Sequence, residues 1–363
     1  MNILYLTYPK YDYLADQIYT GLCSSLGWNH VVDFPYKPHY HDPTHRIPAV
    51  PQNPGRVYSR EEIQTLLAEQ YFELIILSTT RKETVSAYHE IVPHVSRTPV
   101  VLLDGDDIRE LRRDLYASFN LALYFKREYL LAWRGETMHA QYQRWRYFGT
   151  DHELFARTHP LPFSIILETL PQSVDRVPDL DLSFVGLASH RNRIRAVNYL
   201  QTDPGITFEG WITTESTTRR SKLATTPWGI LREKLKGDPY VSESERGTRL
   251  SQQEYFSLLR RSRAALSLQG AGFDTLRYWE IVASQTLMIS ERPDIYIPHN
   301  FEDRAHVLYC RADCRDVPEL ILTYVRDESI RTRMREAAYA HLLRFHTCEQ
   351  RAKQMLAICR THL

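Results

Sequence analysis

One stretch decides the fold of this chain: Ala264-Ala-Leu-Ser-Leu-Gln-Gly-Ala-Gly-Phe-Asp-Thr-Leu-Arg-Tyr-Trp-Glu280. Its continuous apolar run, 264–268, predicts a buried parallel strand, and residues 275–284 have the pattern of a helix. Gly270 and Gly272 allow a tight turn between the two. A strand, a glycine turn and a helix N-terminus predict a phosphate site, because free backbone N–H groups and the positive end of the helix dipole face the anion.

Two charged residues of the predicted helix point to a nucleotide. Arg277 lies one turn inside the helix and adds positive charge, and Glu280 follows three residues later on roughly the same face. A carboxylate at that place can accept hydrogen bonds from ribose hydroxyls. The alternative is a helix that only packs, through residues such as Trp279, but a core helix seldom places Arg and Glu beside a glycine turn unless they face a cleft.

Length and composition bound the architecture. The chain has 363 residues, more than a single core usually supports, so we expect two domains. Its content of 43% hydrophobic and 25% charged residues is typical of globular proteins. Because 45 basic residues balance 44 acidic ones, no overall field steers the protein onto nucleic acid or an anionic membrane.

The cysteines and the apolar runs predict a reduced, cytoplasmic protein. The five cysteines are scattered, and no signal peptide precedes the first predicted strand. Cys310 and Cys314 have no second pair at zinc-site spacing, so we predict no metal there. No apolar run approaches the roughly 20 residues of a transmembrane helix.

The first half of the chain alternates strand and helix patterns. Such alternation predicts a parallel sheet covered by helices on both faces, although Gly-x-Gly-x-x-Gly is missing and no dinucleotide is indicated. We expect a domain over 1–170, whose last element is the run 163–167. The predicted strands are 2–7, 31–34, 74–77, 99–103 and 121–124, and the predicted helices are 13–26, 61–69 and 83–91.

A proline-rich connection, 35–60, is predicted to be a long loop. It carries His39, His41 and His45, which could bind a metal or simply lie in a solvated loop. No carboxylate or cysteine set completes a ligand pattern. We therefore favour the solvated loop.

Acidic residues follow the predicted strand 99–103. Asp104, Asp106 and Asp107 are expected at the carboxyl edge, where open α/β sheets bind ligands. They could orient a sugar acceptor, serve as a base or hold Mg²⁺. Alternatively, Asp106 or Asp107 caps a helix that starts at Ile108.

A second strand-end turn carries positive charge. Lys126 and Arg127 follow the predicted strand 121–124. Either residue could meet a phosphate or a carboxylate there, or could lie at a solvated helix start.

A second glycine turn opens the second half. After a polar, proline-bearing linker at 171–181, the run that starts at Leu182 predicts a strand, a turn and the helix 192–200. Ser189, Arg191 and Arg193 lie at this helix start and could bind a diphosphate. We expect the second domain over 182–345 and a final helix over 346–363.

The rest of the second half completes a sheet. The predicted strands are 206–208, 287–289 and 306–309, and helix 252–261 is expected to pack through Tyr255, Leu258 and Leu259. The long connection 211–250, which is rich in threonine, is a candidate lid or acceptor-facing insertion.

These residues resemble those of GT-B glycosyltransferases, especially the group related to spore-maturation-type enzymes with a glycosyl transferase family 1 C-terminal domain. The resemblance covers about half of the chain by motif and the rest by architecture. The matching pieces are Ser183-Phe-Val-Gly186 with Ser189 and Arg191, then Gly270-x-Gly272-x-Asp274-x-x-Arg277-x-x-Glu280, and finally His346-Thr347-x-x-x-Arg351-Ala352.

The resemblance implies two Rossmann-like domains with parallel sheets that face each other across a cleft. The second domain would hold a UDP- or GDP-sugar donor, the first would hold the acceptor, and the final helix would cross back onto the first domain. It implies that Glu280 binds the donor ribose, and that the glycine turn binds the diphosphate with Arg277 and Arg191. Ser189, Asp274 and Thr275 are the remaining candidate donor contacts.

The chain departs from the pattern at one position. Many retaining GT-B enzymes carry a second glutamate eight residues before the one matched by Glu280, where it contacts the sugar. Gly272 stands there in this chain, and Asp274 is the nearest carboxylate.

The resemblance also implies a reaction. Arginines and helix N-termini would stabilise the leaving diphosphate without a required metal, and an inverting enzyme needs a base, for which Asp104 and Asp106 are the candidates. The acceptor is open among a glycan, a lipid-linked molecule, a small molecule and a modified nucleobase. Two alternatives remain: a catalytically silent sugar-nucleotide binding module, and a one-domain GT-A transferase whose metal motif is Asp104-x-Asp106.

Overall fold

The protein is an α/β structure of two parallel sheets. The computed structural model describes residues 1–42, 56–171, 177–213 and 249–363. The chain divides into two compact units. The first unit comprises Met1–Leu170, Asp294–Asn300 and Leu343–Leu363, and the second comprises Pro171–Pro293 and Phe301–Leu342.

The described part of the first unit holds a six-stranded parallel sheet in the order β2-β1-β3-β4-β5-β6. Its central strands are continuous apolar runs because helices bury both faces of the sheet. Hydrophobic side chains from both layers form the core. The strands are β1 Ile3–Leu6, β2 Val31–Phe34, β3 Leu74–Leu77, β4 Val100–Asp104, β5 Leu123–Lys126 and β6 Thr158–Pro160.

Local capping sets where the helices of the first unit begin. Asp12 accepts a hydrogen bond from the N–H of Ala15, and Ser59 forms a capping box with Glu62. The helices are Tyr13–Leu26, Pro38–His41, Arg60–Ala68, Lys82–Ile91, Arg113–Phe119, Met138–Phe148, His152–Arg157 and Cys348–His362, with short 3-10 helices at Trp28–His30, Val92–His94, Leu131–Arg134 and Leu167–Thr169.

The final helix belongs to the first unit. Helix Cys348–His362 packs against helix Tyr13–Leu26 so closely that a Cβ at Gly21 would overlap the Cys348 carbonyl. Near its start, buried Arg351 donates to the Phe163 carbonyl at 3.2 Å. The terminal motif therefore stabilises the packing of this helix.

The described part of the second unit holds a five-stranded parallel sheet in the order β11-β10-β9-β7-β8. Its strands are β7 Leu180–Leu187, β8 Phe208–Thr213, β9 Ser262–Ser267, β10 Leu287–Glu291 and β11 Leu308–Cys310. Its helices are Arg191–Gln201, Gln252–Arg261, Leu276–Ala283 and Val317–Leu320, followed by a π-helical turn at Ile321–Val325. Helix Glu328–Phe345 begins in this unit and ends in the first.

The helix predicted from Ile108 is wrong. It begins at Arg113, and its N-cap residue is Arg112, so neither Asp106 nor Asp107 caps it. The reason is that strand-end side chains hold the preceding backbone: the N–H of Arg112 donates to the Tyr124 hydroxyl at 2.9 Å. A local pattern does not show such contacts.

Other predicted boundaries also move. The run 163–167 is not a strand, because β6 at Thr158–Pro160 takes the sheet edge beside β5. Strand 121–124 becomes Leu123–Lys126, since the N–H of Leu121 completes the preceding turn by donating to the Tyr116 carbonyl. Residues 43–55, 172–176 and 214–248 lie outside the described residues, and with them His45 and most of the predicted 211–250 insertion.

No helix among the described residues is long and apolar enough to cross a bilayer.

Candidate functional site

Two glycine turns meet at the carboxyl edge of the second sheet. They follow β7 and β9, which are neighbours in that sheet. Arg193, on helix Arg191–Gln201, joins them: its Nε donates to the Gln269 carbonyl at 2.8 Å and its Nη2 to the Leu268 carbonyl at 2.9 Å. Its Nη1 donates back to the Leu187 carbonyl at 3.3 Å. This buried guanidinium, 6% exposed, holds both turns.

The glycines are needed because guanidinium groups lie against them. A Cβ at Gly270 would stand 2.9 Å from Nη2 of Arg193 and 3.5 Å from Oγ of Ser189. A Cβ at Gly186 would stand 3.2 Å from Nη2 of Arg277. Larger residues would push the arginines out of the turns.

Arg277 brings a second positive charge to this edge. From the first turn of helix Leu276–Ala283, its Nη2 donates to the Val185 carbonyl, and its guanidinium lies 4.7 Å from the centre of the Phe184 ring. Burial, together with the charge of Arg277, lowers the pKa of Arg193 to about 9. Arg193 stays charged at neutral pH, and the two guanidinium groups together favour an anion.

Glu280 lies beside Arg277 and the Tyr255 hydroxyl. Burial raises the pKa of its carboxyl to about 6, against the opposing effects of Arg277 and Tyr255. The carboxylate is therefore mostly ionised at pH 7 and can accept hydrogen bonds. The sequence assigned Tyr255 only to packing, because its contact with Glu280 depends on the fold.

Two predicted donor contacts have buried polar atoms without a partner. Nε of Arg277 and Oγ1 of Thr275 make no hydrogen bond within the described part of the chain. Buried polar groups are nearly always satisfied. Arg277 lies beside Glu280, and Thr275 is the N-cap residue of the same helix, so the two unsatisfied atoms indicate a place for a polar ligand at the helix start.

Asp274 and Gly272 shape the turn itself. The Asp274 carboxylate is buried and accepts from Nε1 of Trp279 at 3.0 Å. The Gly272 carbonyl accepts from the N–H of Gly270 at 2.9 Å. These contacts fix the approach to helix Leu276–Ala283, and donor contacts by these residues stay predictions.

Ser189 and Arg191 are exposed at the other turn. They flank His190, whose Nδ1 caps helix Arg191–Gln201 by accepting from the N–H of Asn192 at 3.3 Å. Of the two arginines considered at this helix start, Arg193 therefore organises the turns, whereas Arg191 remains accessible to a ligand.

Glu291 is a site residue that the sequence did not reveal. It ends β10, accepts from the N–H of Gln269 and from Nδ2 of Asn192 at 3.4 Å, and so ties the two turns together a second time. Burial raises the pKa of its carboxyl. The predicted strand 287–289 stopped two residues short of it.

Asp104, in the first unit, is enclosed. It is 0% exposed and accepts from the Tyr124 hydroxyl, from Nζ of Lys126 at 2.8 Å and from the N–H of Asp106 at 3.1 Å. Burial raises the pKa of its carboxyl despite the nearby Lys126 ammonium. Lys126 is thus paired inside the protein with Asp104, and a contact of Lys126 with a ligand stays a prediction.

Asp106 is the more accessible of the two candidate bases. It is partly exposed, and one carboxylate oxygen accepts from the Thr80 hydroxyl at 2.7 Å. Its exposed neighbour Asp107 pairs with Arg127. The part of the chain that the structure describes contains no group of three or more His, Cys, Asp or Glu side chains placed to hold a metal ion.

Comparison with known proteins shows which families and solved structures this chain is similar to. Residues 211–357 match the model of a family described as glycosyl transferase-like, a range that includes the glycine turn at Gly270 and Gly272 and also Glu280. No curated protein matches the chain by sequence. HepE from Anabaena in complex with UDP-glucose has a TM-score of 0.59 at 10% identity, over 99% of this chain and 100% of that chain.

Two further solved structures are similar over their full length. A glycosyltransferase from Rickettsia africae has a TM-score of 0.59 at 8% identity, covering 98% of this chain and 97% of that one. Sucrose-phosphate synthase from Thermosynechococcus elongatus has a TM-score of 0.56 at 13% identity, covering 99% and 98%. The chain has a GT-B fold.

The predictions of a GT-B fold and of a glycosyltransferase are thereby confirmed. The GT-B fold consists of two Rossmann-like units with parallel sheets, which the one-domain GT-A alternative does not fit.

Proposed function

We propose that this protein transfers a sugar from a UDP- or GDP-sugar donor to a hydroxyl group of an acceptor. The observation that carries the proposal is the cluster at the second sheet edge: two glycine turns held by Arg193, with Arg277 and Glu280 beside them. The glycosyl transferase-like match, which covers Arg277 and Glu280 of this cluster, and the UDP-glucose in the structurally similar HepE support it. Membership of the spore-maturation-type group is part of the proposal and rests on the motifs alone.

The positive charges of the site would bind the diphosphate of the donor. Glycosyl transfer develops negative charge on the leaving diphosphate, and preorganised positive groups stabilise it. Arg277, Arg191 and the N-termini of helices Leu276–Ala283 and Arg191–Gln201 would supply that charge without a required metal. Ser189 and the Thr275 hydroxyl are further donors for phosphate oxygens.

Glu280 would bind the ribose of the donor nucleoside. A partly buried carboxylate that is ionised at pH 7 can accept hydrogen bonds from both ribose hydroxyls. The orphaned Nε of Arg277 lies in the same helix turn. One helix would then hold the ribose and the diphosphate together.

A thermal-shift panel of nucleotides and nucleotide sugars tests donor binding. Saturation at about 100 times Kd stabilises a protein by about 2.7 kcal/mol, so we expect a clear rise in Tm with UDP or GDP and their sugars. No response to any nucleotide would refute the donor site. Release or transfer of the sugar then distinguishes an enzyme from a catalytically silent binding module. The silent module is an alternative because Gly272 stands where many retaining enzymes have a carboxylate that contacts the sugar.

Asp106→Asn tests the acceptor side. If Asp106 is the base of an inverting reaction, the amide cannot take the proton, and turnover should fall about 10²-fold or more while the donor-induced shift in Tm is unchanged. Asp107→Asn is the matched control, because its carboxylate is exposed and pairs with Arg127. Full turnover in both Asp104→Asn and Asp106→Asn would remove the base assignment.

A further inference from the structure

One helix of the first unit exposes an apolar face to solvent. On helix Met138–Phe148, Met138 is 86% exposed, Tyr142 54% and Trp145 62%. Their spacing of four and three residues puts them on one side of the helix. We call these residues the aromatic face. A group of large apolar side chains left in water marks an interaction surface.

The aromatic face is not needed for the fold. The opposite side of the helix already supplies packing: Ala140 is buried there, and the Tyr147 ring lies 5.4 Å from that of Trp133. Arg144, on the same side, donates to the carbonyls of Trp133 at 3.1 Å and Gly135 at 2.8 Å. Met138, Tyr142 and Trp145 therefore stay exposed in the folded chain, and binding of a partner would bury them.

The charged residues of the helix that carries the aromatic face are basic. Helix Met138–Phe148 contains Arg144 and Arg146 and no Asp or Glu; the acidic residues next to it in the chain are Glu136 before it and Asp151 after it. Arg146 and His139 are exposed and flank the face on the helix, and Arg113 donates to the Tyr147 carbonyl at the helix end. The nearby carboxylates of Asp114 and Glu153 are paired with Arg112 and Arg157, respectively.

We propose that the aromatic face docks onto the surface of an anionic lipid bilayer. Trp and Tyr favour the boundary between water and lipid, and a helix with one apolar side and a basic rim lies in that boundary. Each arginine near an anionic surface adds attraction. A second copy of the chain fits less well, since a two-fold interface pairs the same patch and would bring the two basic rims together.

Vesicle sedimentation tests the proposal on the full chain. We expect binding to vesicles of phosphatidylcholine with phosphatidylglycerol, weaker binding at high salt, and little binding to phosphatidylcholine alone. Replacing the face by Met138→Ser, Tyr142→Ser and Trp145→Ser together should reduce vesicle affinity about tenfold or more, and Arg146→Glu should reduce it about fivefold or more.

Matched controls are available on the second unit. Leu322→Ser removes an apolar side chain that is 59% exposed, and Arg333→Glu reverses an exposed charge; both should bind vesicles like the wild type. The variants of the aromatic face should keep the donor-induced rise in Tm. This measurement distinguishes an error in the membrane-docking proposal from an error in the proposed donor site. The proposal is overturned if anionic vesicles are not bound, if the triple variant binds them as well as the wild type, or if the face instead forms a dimer that the triple variant dissolves.

Discussion

Glu280→Gln is expected to abolish nucleotide-induced stabilisation and, at the same time, to make the free protein more stable above pH 6. The glutamine keeps the shape of the side chain but loses the charge that would accept hydrogen bonds from ribose. It also removes the cost of a buried carboxylate, whose pKa is raised by burial from 4.5 to about 6. That difference corresponds to about 2 kcal/mol of unfolding free energy.

The pH dependence gives this prediction its sign. In the unfolded chain Glu280 loses its proton near its ordinary pKa of 4.5, whereas in the folded protein it holds the proton up to about pH 6. The cost of the ionised group is therefore fully present above pH 6 and disappears as the pH falls below 4.5. Glu280→Gln should thus unfold at higher denaturant than the wild type at pH 8 and show no such gain at pH 4.5.

Denaturant unfolding at both pH values, with and without nucleotide, measures the two effects. Glu336→Gln, at an exposed position of helix Glu328–Phe345, is the matched control and should change neither. If Glu280→Gln kept the full nucleotide response, the ribose assignment would be wrong. If it destabilised the protein at pH 8, the burial of a charged Glu280 would not be the dominant cost.

Arg193→Met is expected to cost about 3 kcal/mol of unfolding free energy and to abolish donor binding. Methionine fills the space of the side-chain stem but cannot donate to the carbonyls of Leu187, Leu268 and Gln269. Those oxygens would remain buried without a donor, and the two glycine turns would lose their connection. Both effects arise even though Arg193 itself need not touch the ligand.

The control for Arg193→Met is Arg195→Met on the same helix. Arg195 is exposed, so its replacement should change the free energy of unfolding by no more than about 0.5 kcal/mol. Urea unfolding and the donor-induced shift in Tm, measured on both variants, separate the roles. Normal donor binding by Arg193→Met would show that the turns keep their spacing without it.

The strand, turn and helix units were predictable because local pattern encodes them. Helix Tyr13–Leu26 and strand Leu74–Leu77 match their predicted bounds, since a helix stop at Gly27 and an uninterrupted apolar run are visible in the sequence. The Gly270 to Glu280 segment was found in the same way. Local sequence pattern therefore predicts the backbone of the site well.

The side-chain contacts of the site were harder to predict. Arg193 shares the helix side of Ala196, Val197 and Leu200, all buried, so helical spacing could have shown that it points inward while Arg191 does not. The links from Tyr255 to Glu280 and from Glu291 to Gln269 join elements about 20 residues or more apart. These residues come together only through the order of strands in the sheet, and a local sequence pattern does not indicate that order.

The way Arg193 bridges the turns constrains how this protein can be engineered. Because its guanidinium fills the space that a side chain at position 270 would need, the residues at 193 and 270 form one structural unit, although they lie 77 positions apart. A loop graft that imports residues 268–275 from another transferase would also need the matching residue at 193. Chimaeras cut between the two turns would otherwise combine halves that do not fit.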